Sequence, residues 1–267
     1  MNELRDAIYG LAIGDAMGVP FEFRQRDTFK CKGMVGYGTH NQPAGTWSDD
    51  TSMTLATLAS LKKNLWEVDT TDMRNNFLNW AKYGDFTVDG SVFDIGSTTA
   101  IALNDGAPLT DMLSNGNGSL MRILPLAFAN ASDSEIWAVS GITHGHWISC
   151  WACTIYTVIA RNLLAGVPLK SMDLDYGEPF DRLNDLEYMK RDEILSTGYV
   201  VDTLEAALWA LLHSSNYKEA ILKAVNLGGD TDTIAAVTGG LAGIMYGVPE
   251  DWKQSLRGKD VIEEVLN

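Results

Sequence analysis

Two short acidic segments, far apart in the chain, each combine carboxylates with hydroxyl groups in a way that suits a divalent metal ion. The first is Trp47-Ser48-Asp49-Asp50-Thr51, and the second is Gly228-Gly229-Asp230-Thr231-Asp232-Thr233. Carboxylates crowded at one point repel each other unless a cation compensates them, and hard ions such as Mg²⁺ prefer oxygen ligands. Helical patterns follow both segments, at 53–61 and 234–246, so an alternative is that each segment is a helix N-cap. A cap needs only one such residue, whereas each segment offers several.

A glycine-rich segment, Asn115-Gly116-Asn117-Gly118-Ser119, precedes an apolar run that we expect to be helical. Glycine lets backbone N–H groups approach an anion closely, and a helix start adds a positive dipole end. Arg122 would add a fixed positive charge. The alternative is an ordinary loop followed by a capped helix. The segment fits neither the phosphate-binding P-loop nor the dinucleotide fingerprint.

Two further residues have side chains suited to proton transfer or hydrogen bonding. Glu22 lies between Phe21 and Phe23, and partial burial there would raise its pKa and suit it to acid or base work. The alternative is a surface glutamate. His144 belongs to a His-x-His pair with His146, but no third ligand lies nearby, which favours a helix-end histidine over a zinc ligand. A hydrogen bond from His144 to a phosphate or a sugar is the functional alternative.

Composition excludes several classes of protein. The 267-residue chain carries a net charge of −15, which argues against binding to nucleic acid or to an anionic membrane surface. The first residues are polar and acidic, unlike a signal peptide, and no apolar stretch reaches the ~18 residues of a spanning helix. Since the three cysteines are few and odd in number, we expect a reducing compartment and a cytoplasmic location.

Helical periodicity dominates the chain, and we predict an all-α fold with one compact domain over residues 1–267. Gly10, Gly14 and Gly18 recur on one helical face, which suggests that a ligand or another backbone comes close. Cys150 and Cys153 have C-x-x-C spacing but lie in a long apolar helical run, so we expect them to pack in the core. Residues 172–197 are predicted to form an irregular surface excursion before the next helix.

The order of these motifs resembles the ADP-ribosylglycohydrolase family, whose members include dinitrogenase reductase-activating glycohydrolases. The resemblance runs from about residue 3 to residue 248. Besides the segments above, it rests on Gly10-Leu11-Ala12-Ile13-Gly14-Asp15-Ala16-Met17-Gly18, Pro20-Phe21-Glu22, Phe93-Asp94-Ile95-Gly96, Thr143-His144 and Gly198-Tyr199-Val200-Val201.

The resemblance implies a compact all-α fold with a centre of two divalent metal ions, Mg²⁺ or Mn²⁺. The metal ligands it implies are Ser48, Asp49, Asp50, Asp230, Asp232 and Thr233, with Glu22 beside the metals. Asp94 would line the ribose end of the site. The residues that would face the diphosphate are Gly116, Asn117, Gly118, Ser119, Arg122 and His144. Tyr199 would contact the adenosine half by stacking.

The implied reaction is hydrolysis of the glycosidic bond at the distal ribose C1″, which releases ADP-ribose. Either Glu22 or Asp49 would activate the attacking water, and the sequence does not rank the two. The expected substrate is ADP-ribosyl-arginine on a protein. The alternatives are a small ADP-ribose ester or nucleotide conjugate, and a non-catalytic ADP-ribose-binding relative. All the implied metal ligands are present, which argues against the last. We expect a monomer that binds neither membrane nor nucleic acid.

Overall fold

The fold is all-helical, as predicted. The computed structural model describes residues 2–267, in which the α-helices are α1 (Asn2–Gly18), α2 (Asp49–Lys63), α3 (Thr70–Tyr83), α4 (Ser97–Asp105), α5 (Asp133–Ser140), α6 (Trp147–Leu164), α7 (Val200–Leu212), α8 (Tyr217–Val225), α9 (Thr231–Tyr246), α10 (Glu250–Ser255) and α11 (Lys259–Leu266). Extended pairing over these residues is limited to two isolated β-bridges, Leu109 with His144 and Gly116 with Tyr199. No helix among them combines the length and the apolar character that crossing a bilayer requires.

Helices α1 and α9 form the centre of the molecule, and the glycine face of α1 explains how closely they pack. A Cβ on Gly14 would lie 2.0 Å from the carbonyl oxygen of Ala235, and a Cβ on Gly18 would lie 2.3 Å from the Cα of Asp232. The glycine pattern suggested that either a ligand or another backbone comes close, and the close neighbour is the backbone of α9. The contact matters for function because it seats Asp232 directly against the C-terminal end of α1.

The start of α6 is fixed by a local hydrogen bond. His146 is the N-cap of α6, and its Nδ1 accepts a hydrogen bond from the backbone of Ile148 at 3.3 Å. His146 is therefore the helix-end histidine that the sequence favours. On the same helix, Cys150 and Cys153 are buried and free, in agreement with a packing role.

The irregular segment 172–197 contains short 3₁₀ turns at Asp181–Asp185 and Arg191–Glu193. It is anchored by buried side chains such as Phe180 and Ile194. The guanidinium of Arg26 donates to the carbonyl oxygens of Arg191 and Ile194 at 2.8 and 2.6 Å, which ties the segment to the loop after Glu22. The segment is therefore part of the scaffold, and it places residues 196–198 beside the second acidic cluster.

Candidate active site

The first acidic cluster is held by a carboxylate to which the sequence assigned no role. Asp15, fully buried on α1, accepts hydrogen bonds from the backbone N–H groups of Ser48 and Thr51 at 2.9 and 3.0 Å. It also accepts from the hydroxyl groups of Ser48 and Thr51 at 2.9 and 2.6 Å. These donors occupy both of its oxygens and fix the turn that starts α2. In the sequence, the feature that could have identified Asp15 is that it is the lone charged residue within the apolar run 7–17.

Ser48 confirms the capping interpretation of this cluster, and its role as a metal ligand stays a prediction. It is the N-cap of α2, where its hydroxyl oxygen accepts from the backbone of Asp50 at 3.4 Å, and that oxygen also lies 3.1 Å from Oδ2 of Asp50. Asp49 and Asp50 form the first turn of α2, where a negative charge is favoured by the helix dipole. Only the serine side chain caps the helix, so capping does not explain the two aspartates.

The second cluster starts α9 without a side-chain cap. Asp230 occupies the N-cap position but makes no capping hydrogen bond; its Oδ2 instead accepts from the side-chain amide of Asn117 at 2.7 Å. The same amide donates to Thr203 at 2.8 Å. Asn117 thus links the glycine-rich loop to the second cluster, and its side-chain nitrogen is engaged by the protein.

The two clusters meet in the interior. Thr233 Oγ1 lies 3.5 Å from Asp50 Oδ2, across 183 residues of chain. One carboxylate oxygen each of Asp15, Asp50 and Asp232 lies within 4.8 Å of the other two. Burial first, and then neighbouring carboxylates, hold the pKa of Asp50 and of Asp232 well above the usual range. Such crowding of buried acids requires either protons or a cation.

Three buried carboxylate oxygens in this region have no hydrogen-bond partner: Oδ1 of Asp50, Oδ1 of Asp230 and Oδ2 of Asp232. Buried polar atoms are rarely left unsatisfied in native proteins. Hard divalent cations take oxygen ligands, so metal ions bound here would give such oxygens a partner. The donor set therefore fits the metal ions that the resemblance implies, and it draws on both clusters.

A glutamate–histidine pair borders the same acids. Glu22 is 5% exposed and its Oε2 bonds to Nε2 of His40, which also lies 3.7 Å from Asp94. Burial raises the pKa of Glu22 to about 8, and the bond to Glu22 raises the pKa of His40. One ligand atom each of Glu22, His40, Asp94 and Asp232 lies within 4.8 Å of the others. His40 was not identified from the sequence, because its loop has no periodic pattern that distinguishes it.

A cavity of about 250 Å³ connects the acids to the glycine-rich loop. Its acidic end is lined by Glu22, Asp49, Asp94, Asp230 and Thr233, and its loop end by Gly96, Ser97, Thr98, Thr99, Gly116, Asn117, Gly118, Met121, His144 and Gly198. A larger groove of about 1130 Å³ beside residues 27–32 and α8 contains none of the clustered carboxylates, so the smaller cavity is the candidate site.

Close packing shapes the loop end of the cavity. A Cβ on Gly118 would lie 2.9 Å from the His144 ring and 3.0 Å from Thr99 Oγ1. The backbone of Asn117 donates to the carbonyl of Gly198 at 3.1 Å, which closes this end against residues 198–200. The expected helix after Ser119 is replaced by two 3₁₀ turns, Leu120–Arg122 and Leu124–Ala127, because Pro125 lacks an amide hydrogen. The α-helix dipole that we expected here is therefore absent.

Arg122 and Ser119 do not line the cavity, which corrects the expectation that they face the ligand. Arg122 is fully buried, and its guanidinium donates to the carbonyl of Val139 and to the hydroxyl of Thr143. Ser119 is also fully buried, and its hydroxyl accepts from Ser140 at 2.9 Å. Both side chains bond to residues beneath the loop, although Nε of Arg122 has no partner, so they support the loop from below.

Tyr199 is 36% exposed and is the N-cap residue of α7, next to Gly198 of the cavity wall. Stacking of its ring on adenosine stays a prediction.

The fold and the site together define an all-helical domain whose buried acidic cluster is suited to a metal ion and lies beside a glycine-lined cavity. The family profile described as ADP-ribosylglycohydrolase matches residues 1–267, so the chain belongs to the ADP-ribosylglycohydrolases. The family inferred from the motifs is confirmed.

Relatives of known name agree with this assignment. The chain is 35% identical to the ADP-ribosylarginine hydrolase Tri1 of Serratia proteamaculans, over 96% of this chain and 75% of that protein. It is 31% identical to the ADP-ribosyl-[dinitrogen reductase] glycohydrolase of Rhodospirillum rubrum, over 94% of this chain and 88% of that protein. Its fold is similar to a solved ADP-ribosylglycohydrolase-related protein complex, with a TM-score of 0.83, 32% identity and coverage of 99% of this chain and 95% of that one.

Proposed function

We propose that this protein hydrolyses the glycosidic bond between the distal ribose of ADP-ribose and an arginine side chain on a protein, with two Mg²⁺ or Mn²⁺ ions bound. The observation that carries the proposal is that buried carboxylate oxygens of Asp50, Asp230 and Asp232, which come from both clusters, have no hydrogen-bond partner, while Asp49 and Asp230 of the same clusters line one cavity. The arginine preference comes from the two Tri1 relatives, of Serratia proteamaculans and Pseudomonas putida, each 35% identical and each named an ADP-ribosylarginine hydrolase.

The metal site would be formed by the residues that the family resemblance implies, which are Ser48, Asp49, Asp50, Asp230, Asp232 and Thr233. When bound, the ions would supply Lewis-acid contacts that fix the distal ribose through its hydroxyl groups. Asp94, which lies beside His40 at the acidic end, would line that ribose.

The chain's own carboxylates account for the chemistry. Cleavage at C1″ passes through an oxocarbenium-like transition state, whose positive charge the negative wall of the cavity stabilises. Of the two candidate bases, we choose Glu22. One of its oxygens bonds to His40, which orients the carboxylate, and the residue lines the cavity. It would accept a proton from the attacking water. Asp49 also lines the cavity but has no side chain bonded to it in this way.

The loop end of the cavity would bind the diphosphate. Gly116, Gly118 and the start of α4 bring backbone close to the cavity, and His144 faces it. In a chain with net charge −15, donors of this neutral kind bind an anion without a cluster of basic side chains.

The test is release of ADP-ribose from three substrates: an arginine-ADP-ribosylated protein, a serine-ADP-ribosylated peptide and ADP-ribosylated DNA. Each is incubated with Mg²⁺, with Mn²⁺ or with chelator, and the Asp50→Asn variant is the matched inactive control. We expect metal-dependent release from the arginine-linked protein. Release from serine alone would overturn the arginine preference, and no release from any substrate in the presence of metal would overturn the proposed reaction.

A further inference from the structure

The buried charge of Arg122 is not explained by direct ligand binding. The residue is 0% exposed, and within residues 2–267 it forms no ion pair with a carboxylate. Its guanidinium lies 4.5 Å from the ring centre of Phe77 and donates to the carbonyl of Val139 at 3.3 Å. Its shortest hydrogen bond, 2.9 Å, goes to the hydroxyl oxygen of Thr143. Burial of an unpaired charge is costly, so its position needs a reason.

The hydrogens at Thr143 can be assigned from the donors around it. Arginine has no acceptor atom, so the bond from Arg122 makes Thr143 Oγ1 an acceptor. The hydroxyl hydrogen is then free to be donated, and His144 Nδ1 lies 2.8 Å away. If Nδ1 accepts that hydrogen, a neutral imidazole must carry its own hydrogen on Nε2. The opposite tautomer would leave the Thr143 hydrogen without an acceptor in this buried network.

We propose that Arg122 and Thr143 are positioning residues that lock His144 in the tautomer with a hydrogen on Nε2, so that it presents a neutral N–H donor to a phosphate oxygen of ADP-ribose. The identity of the ligand rests on the proposed function; the tautomer does not. His144 lines the cavity, and its Nε2 lies 3.5 Å from the position of a Cβ on Gly116 and 3.4 Å from that of a Cβ on Gly118. The donor therefore points toward the glycine-lined end.

The surroundings of His144 favour this fixed, neutral state. Burial and then the positive charge of Arg122 lower the pKa of His144 to about 3, so the ring stays uncharged at neutral pH. The backbone is fixed as well: Leu109 donates to the carbonyl of Thr143 at 3.0 Å, and Gly145 donates to the carbonyl of Leu109 at 2.8 Å. The ring thus has a fixed protonation state and a fixed direction before any ligand arrives.

The experiment compares Thr143→Val, which keeps the shape but removes the hydroxyl, with Thr143→Ser, which keeps the hydroxyl. The imidazole nitrogens are observed by NMR in protein labelled with ¹⁵N-histidine. Only four histidines are present, and the His144→Gln variant assigns the signal. ADP-ribose binding is measured by calorimetry with Mg²⁺ on the same samples.

We expect the wild type and Thr143→Ser to carry the His144 hydrogen on Nε2 and to bind ADP-ribose within about twofold of each other. Thr143→Val should shift hydrogen toward Nδ1 and weaken binding about fivefold to tenfold, the usual net worth of one hydrogen bond. A thermal unfolding scan confirms that each variant is folded.

A hydrogen on Nδ1 in the wild type would overturn the proposal. So would a Thr143→Val variant that loses stability but keeps both the Nε2 hydrogen and full affinity, because Thr143 would then have only a packing role. If the wild type itself does not bind ADP-ribose, the proposed function and the phosphate contact both fail. The tautomer measurement then decides the positioning claim alone.

Discussion

The two ends of the cavity are built in opposite ways. At or beside the acidic end, buried carboxylate oxygens of Asp50, Asp230 and Asp232 have no partner, and burial raises the pKa values of all three residues. At the loop end, His144 is held in a hydrogen-bonded chain with Thr143 and Arg122. The acidic end therefore needs protons or a cation to complete it, whereas the loop end is assembled by the protein alone. Chemistry and ligand binding should accordingly respond to different changes.

The Glu22→Gln variant should show the largest difference between an effect on turnover and an effect on ligand affinity. Glutamine keeps the shape of the side chain but removes its basicity, so we expect kcat to fall by about two to four powers of ten. ADP-ribose affinity should change little because the loop end is intact. Turnover and calorimetry on the same preparation measure both quantities. Asp49→Asn is the matched comparison: an unchanged rate for Glu22→Gln with a large loss for Asp49→Asn would assign the base to Asp49.

Asp15→Asn should weaken the acidic end without touching the cavity wall. Its amide nitrogen cannot accept the hydrogen bonds that Ser48 and Thr51 donate to Asp15, so the first cluster loses its orientation. Loss of such supporting contacts costs about 10–100-fold in metal affinity. Mn²⁺ titration by calorimetry tests this, with Asp260→Asn on the exposed face of α11 as a control for the same change in charge. Equal Mn²⁺ affinity in both variants would show that Asp15 does not organise the site.

Gly118→Ala should affect the loop end alone. The added methyl group would lie 2.9 Å from the His144 ring, so the ring or the loop must move. We expect ADP-ribose to bind about tenfold more weakly, in line with the 1–3 kcal/mol that overpacking costs, while Mn²⁺ affinity is retained. Gly33→Ala is the control, since a Cβ there meets no atom within 4 Å. Parallel loss of Mn²⁺ and ADP-ribose affinity would contradict the independence of the two ends.

The two ends should also respond to pH with opposite signs in metal-free protein. Glu22 has its pKa raised from 4.5 to about 8, so its contribution to stability is present below pH 4.5 and is lost as pH rises through 8. His144 has its pKa lowered from 6.5 to about 3, so its contribution is present above pH 6.5 and is lost as pH falls toward 3. The free energy of unfolding is measured with urea, in the presence of chelator, as a function of pH. Glu22→Gln should reduce the loss of stability at alkaline pH, and His144→Gln should reduce the loss of stability at acidic pH. A difference from wild type that is constant with pH would contradict this assignment.

The sequence was most informative where chemistry is local. Ser48-Asp49-Asp50 and Asp230-Thr231-Asp232 carry an excess of oxygen ligands that helix capping does not explain, and the recurring glycines of α1 indicate a close neighbour. Resemblance to the family then linked segments that are 180 residues apart. The all-helical fold was predicted from the helical periodicity of the apolar residues, and the structure confirms it.

What the sequence left out depends on tertiary contacts. Arg122 follows a glycine-rich loop, so it was expected to contact the ligand. Its guanidinium instead donates to Val139 and Thr143, which lie in a later part of the chain. His40 lies in an irregular loop, and only folding brings it to Glu22. Asp15 was part of a recognised motif, yet its role appears only when α1 meets the start of α2.

The central claim is that both acidic clusters form one metal centre. Calorimetric titration of Mn²⁺ into wild type, Asp50→Asn and Asp232→Asn tests it most directly, because each variant removes a partnerless oxygen from a different cluster. We expect tight binding by the wild type, a large loss of affinity in both single variants, and a rise in Tm with Mn²⁺ only for the wild type. Undiminished Mn²⁺ affinity in either variant, or no Mn²⁺ binding by the wild type, would contradict it.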